Sequence, residues 1–173
     1  MNIKNIKKVF PAIAIMALFP VAAYAATVFY TATLALGLDT ALSLTKNNDI
    51  NFGTVKAATA ATYRISTAGA ISVVSGSGEA LHGTPAAGSI TISGSTTQTI
   101  SITANNYVAD NGVTPSAATC AYNGGGSAAC TTLASVAAPA AGKTLLVGCD
   151  LAVGSQSAGT SETPTFDIVV AYN

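Results

Sequence analysis

Apolar and polar residues alternate along much of this chain, most cleanly at its C-terminal end. There Phe166, Ile168, Val170 and Tyr172 alternate with Thr165, Asp167, Val169 and Ala171, the period of a strand with one buried face. Upstream, Leu145, Val147, Cys149, Leu151 and Val153 repeat the pattern. Near the other end, Val28, Tyr30, Ala32, Leu34 and Leu36 share one parity, which Leu38, Leu42 and Leu44 continue past a bend predicted between Gly37 and Thr40. A helix over residues 31–45 is the competing reading from Ala and Leu content; Gly37 and the interspersed threonines weigh against it.

Between these runs the pattern predicts shorter strands. Residues 89–93 and 99–103 each place isoleucines on one face and hydroxyls on the other, and are expected to be the arms of a hairpin across 94–98. Further strands are predicted at 50–55, 62–65, 70–74, 117–121 and 129–133. Turns are expected at 46–49, 67–69, 75–78 and 105–112, with a triple-glycine tip at 124–126 and an Ala and Pro loop at 135–142. Nine or ten short strands with no substantial helix imply an all-β fold, an antiparallel immunoglobulin-like β-sandwich. A closed barrel is the alternative, but a membrane barrel needs longer strands and aromatic girdles that this pattern lacks.

The first residues are of a different kind. Lys4, Lys7 and Lys8 precede an apolar run over 9–21, Pro20 interrupts it, and Ala23-Tyr24-Ala25 offers small residues at a cleavage site. This is the layout of a secretory signal peptide over 1–25, and the apolar run is short for an uncleaved membrane anchor. Export to the periplasm, cell surface or medium is therefore expected, with residues 26–173 forming one domain that does not span a membrane. Losing the leader leaves four basic residues against seven acidic ones, a net charge of minus three. No basic patch remains to meet a phosphate backbone, so nucleic acid is an improbable partner.

Composition agrees with the strand reading. Charged residues are 8% of the chain and Trp is absent, which suits short strands joined by small-residue turns. Cys120 and Cys130 bracket the glycine tip, and closing that loop by a disulfide is expected to stabilise the fold by about 2–3 kcal/mol. Cys149 is then the odd thiol: a buried small hydrophobe, an alternative partner for Cys120, or an intermolecular link. No catalytic residues, cofactor or metal ligands are expected. The single histidine, His82, has no nucleophile motif nearby, there is no CxxC pair, and the carboxylates are scattered.

Leu42-Ser43-Leu44-Thr45-Lys46, Asp49-Ile50-Asn51-Phe52-Gly53, the strand over 145–154 and the closing TFDIVVAYN resemble a family of exported bacterial β-sandwich proteins classed as a domain of unknown function. More weakly, the penultimate Tyr172 and Gly159 upstream of it resemble the ends of chaperone-usher pilin and spore-coat U-like subunits. That second resemblance implies a sandwich lacking one strand, filled by a neighbour's N-terminal extension, and makes a periplasmic chaperone a candidate partner. Cysteines confined to the C-terminal half depart from many such pilins. The expectation is a non-catalytic, fimbria-like structural subunit that binds copies of itself or related subunits. Residues 26–36 would be its strand-donating arm, with Val28, Tyr30, Ala32, Leu34 and Leu36 as the donor face. The alternative is an adhesin-like module that binds through loops 105–118 and 121–129.

Overall fold

A computed structural model describes residues 39–173. The leader at 1–25 and the donor face Val28, Tyr30, Ala32, Leu34 and Leu36 lie outside the described residues. The strands are β1 (Ser43–Asn48), β2 (Thr54–Val55), β3 (Ala61–Ile65), β4 (Ile71–Gly76), β5 (Ala80–His82), β6 (Gly88–Ser93), β7 (Ile100–Val108), β8 (Val113–Tyr122), β9 (Ala128–Ala129), β10 (Leu133–Val136), β11 (Lys143–Val153) and β12 (Thr165–Tyr172). The only helical turn among the described residues is a three-residue 3-10 segment, Cys130–Thr132.

The fold is an all-β antiparallel sandwich. Its larger sheet is built on β11, whose first half pairs with β6 (Lys143 opposite Ile92, Val147 opposite Gly88) and whose second half pairs with β3 (Cys149 opposite Ile65, Val153 opposite Ala61). Strand β8 pairs along most of β11, from Leu145 opposite Tyr122 to Val153 opposite Val113, so β6 and β3 must share the other edge end to end. Outside them lie β1 on β6 and β4 on β3, while β9 extends β8. The smaller sheet runs β10-β7-β12, and β2 with β5 forms a separate two-stranded ribbon.

Gly148 sits where β11 changes neighbour. A Cβ there would lie 2.2 Å from the carbonyl oxygen of Ile65 and 2.9 Å from Ser66 backbone, so only glycine admits the close approach of β3. Two residues on, Arg64 directly opposes Asp150, and its Nε and Nη2 donate to the two carboxylate oxygens at 2.6 and 2.7 Å. This bidentate pair lets Asp150 sit at 7% exposure without an unmet charge.

The core lies where the two sheets meet. Ile92, Ala118, Cys120, Leu145 and Val147 of the larger sheet pack with Ile100, Ile102 and Ala104 of β7. Cys120 and Cys130 are bonded, with Cα atoms 5.0 Å apart, while Cys149 is free and buried.

Several boundaries differ from the sequence expectation, and the described residues alone hold twelve strands where nine or ten were expected of the chain. Residues 89–93 and 99–103 are not hairpin arms: β6 joins the larger sheet and β7 the smaller. Alternation reports which side of a strand is buried, and an arch buries the isoleucines as well as a hairpin does. The arch is held by Ser95, whose Oγ accepts from the backbone N–H groups of Thr97 and Gln98, and by Gly94 N–H donating to Ala140. Strand β7 runs through part of the predicted 105–112 turn, with Asn106 at φ 52° taking up the irregularity. Strand β1 likewise absorbs most of the predicted 46–49 turn, the predicted strand at 50–55 contracts to β2, and β10 enters the predicted 135–142 loop.

Two substitutions test this construction. Gly148→Ala should lower stability in urea by about 3 kcal/mol through overpacking. Gly126→Ala, where nothing lies within 4 Å of the added methyl, should stay within about 0.5 kcal/mol. Replacing both Cys120 and Cys130 by Ala should cost about 2–3 kcal/mol, since the bond closes a short loop.

Candidate functional site

Strand β12 presents the expected alternation, but its inner face is only partly covered. Phe166, Ile168, Val170 and Tyr172 are all half-buried and pack on the edge of the core, while the residues between them are exposed. By contrast, Ile100 and Ile102 of the adjacent β7 are fully buried. A groove of about 1060 Å³ lies beside the Phe166 end of β12. Its floor is the continuing inner face of β11 and β8, with Cys149, Leu151, Val153, Val113 and Pro115; Phe166 and Ile168 form one wall, and Ile50, Phe52 and Ile90 line it as well. Charge is confined to a few lining residues such as Lys46, which donates to Asp49 at 2.8 Å.

Two strand edges belong to this region. Among the described residues β12 pairs only with β7, and β1 only with β6, which leaves the far edge of each without a strand. An edge of this kind exposes a row of backbone donors and acceptors.

At the opposite end of β12 from the groove, Tyr172 closes a polar knot. Its hydroxyl donates to the carbonyl oxygen of Thr40 and accepts from Ser95 N–H at 2.7 Å. Ser95, fully buried, donates its hydroxyl to Asp39 at 2.6 Å. The knot therefore fixes residues 39 and 40 beside the C-terminal end of β12. Sequence patterning could not find it, because it joins three distant polar residues that carry no period.

Side chains of potential chemical interest are dispersed over the described residues. His82 is exposed on β5, and no group of three or more His, Cys, Asp or Glu side chains able to hold a metal occurs among the described residues. The tyrosines of the candidate binding loops are used internally. Tyr107 stacks on Phe166 with ring centroids 5.3 Å apart and accepts from Ala118 N–H, while the hydroxyl of Tyr122 donates to Ala137. Of the groove residues, Phe166 and Ile168 were expected from the terminal strand. Leu151 and Val153 carried the signal of β11 alternation, whereas Ile50, Phe52, Val113 and Pro115 are brought in by topology.

Residues 42–172 match the family described as a domain of unknown function, DUF4402. The chain belongs to DUF4402. The matched span contains every described strand, from β1 to β12. No curated protein and no solved structure matches this DUF4402 chain significantly.

Cys149, on the groove floor of this DUF4402 domain, has its thiol pushed up to about 12 by burial and, secondarily, by the charge of Asp150. The folded protein thus holds this proton more tightly than the unfolded chain does. Its contribution to stability is complete below about pH 8.5 and is lost as pH rises toward the folded value. Stability should accordingly fall across that alkaline window, and Cys149→Ala should flatten the fall. At pH 8 the thiolate fraction is about a thousandfold below that of an ordinary thiol, so a disulfide reagent should modify Cys149 rapidly only after denaturation.

Proposed function

We propose that this protein is a non-catalytic, exported structural subunit that assembles by β-strand addition, as a fimbria-like subunit would. The observation that carries this reading is the apolar groove beside β12, bordered by strand edges that have no partner among the described residues. Backbone pairing along such an edge supplies affinity, and side chains at alternate positions entering the groove supply specificity. The sequence contains a segment of that design, with Val28, Tyr30, Ala32, Leu34 and Leu36 on one parity. Each Val or Leu fully buried there would contribute about 1.5–3 kcal/mol.

The Cys120–Cys130 bond fits an oxidising compartment, and the basic-then-apolar leader fits a secretory route to one. The adhesin-like alternative is less well supported, because Tyr122 is buried in the sandwich and the exposed Tyr107 already stacks on Phe166.

Removing residues 26–36 tests the reading. The exported protein should form oligomers that grow with concentration in multi-angle light scattering, and the truncated protein should remain folded but monomeric. A protein that keeps its arm and stays monomeric at every concentration contradicts assembly.

A further inference from the structure

The larger sheet ends at β4, and the chemistry of that edge sets it apart from the others. Among the described residues β4 pairs only with β3, so its outer edge carries no strand. Of the other longer strands that end a sheet, β1 holds Lys46 and β12 holds Asp167, charges of the kind that keep an edge from pairing with another chain. Strand β4 has neither charge nor proline, and no charged residue occurs between Arg64 and Glu79.

The same edge carries apolar surface. The ladder to β3 matches Val73 with Tyr63 and Ser75 with Thr62, which leaves Val74 as the extra residue of a bulge. Regular alternation would turn one of two adjacent valines inward. The bulge breaks that alternation, and Val73 and Val74 remain 41% and 46% exposed.

The order of residues along β4 decides what fits this edge. Ser72, Val73, Val74 and Ser75 read the same in both directions. An antiparallel copy of the strand, related by a two-fold axis between the valines, therefore sets valine against valine and serine against serine and brings no like charges together. A bulge ordinarily blunts an edge by bending it. Here the bend lies at the centre of the palindrome, so two copies bend alike about the axis.

We propose that β4 is a contact between two copies of this chain, the two edges pairing antiparallel about a two-fold axis so that the larger sheets join into one. The register sets Ser72 opposite Ser75 of the other copy and Val73 opposite its Val74. Six residues of strand span about 20 Å, so the contact is smaller than the roughly 1,200–2,000 Å² of a standard interface and is reversible by itself. It is isologous and closes at two chains. It also leaves the groove beside β12 untouched, so it joins subunits laterally whatever fills that groove.

Disulfide trapping in the full exported chain, with Cys149→Ala removing the native thiol, tests the pairing on a denaturing gel, where only covalent links survive. Ser72→Cys with Ser75→Cys in one chain should give a covalent dimer that returns to monomer on reduction, because directly opposed residues of adjacent strands lie within reach of a disulfide. Each single variant should stay monomeric, and a mixture of the two should restore the dimer. Val73→Lys added to the double variant places a lysine on each side of the axis and should slow trapping about tenfold or more. Single variants that cross-link as well as the double variant overturn the proposal, since that is the result of random collision or of parallel pairing. A covalent ladder beyond two chains overturns the two-fold arrangement, and a double variant that stays monomeric while circular dichroism shows it folded overturns the contact itself.

Discussion

The inner face of β11 is the surface on which the rest of the structure depends. A sandwich is stable only where each apolar face is covered, and β11 presents one such face through Leu145, Val147, Cys149, Leu151 and Val153. Along its first half the cover is complete: Leu145 is fully buried and Val147 nearly so, in the cluster with Ile100 and Ile102. Along its second half the same alternation continues, but Leu151 and Val153 are half-buried and line the groove. One strand thus belongs to a closed core at one end and to an open one at the other.

That asymmetry follows from how the larger sheet is assembled. Placing β6 and β3 end to end on a single edge of β11 requires the glycine at 148, and the larger sheet faces a smaller one of only three strands, β10-β7-β12. Strand β12, the last of those three, is left with half-covered side chains on its inner face and an edge without a strand among the described residues. A sheet edge next to uncovered apolar surface is the physical setting in which added strands bind, since one segment can satisfy backbone and side-chain demands together.

Much of this architecture was legible in the sequence. The alternation in 145–153 and 165–172 identified the two strands that matter most, and the spacing of Cys120 and Cys130 identified the bridge. The assignment of β6 and β7 to different sheets was not legible, because isoleucine parity is the same for an arch and a hairpin. Nor was the groove as a whole, since Ile50, Phe52, Val113 and Pro115 converge only once the sheets are stacked. The knot of Asp39, Ser95 and Tyr172 was invisible for a related reason: long-range polar contacts leave no periodic trace.

Hydrogen exchange at the amides of β12 in the protein with residues 26–36 present measures most directly whether that core is completed by an added strand. If a strand pairs along the outer edge, the amides of residues 166–172 should all be protected to a degree comparable with those at the centre of β7, and protection at the outward-directed amides should disappear when residues 26–36 are removed. Outward-directed amides that exchange at the rate of an open edge in both proteins would contradict the account.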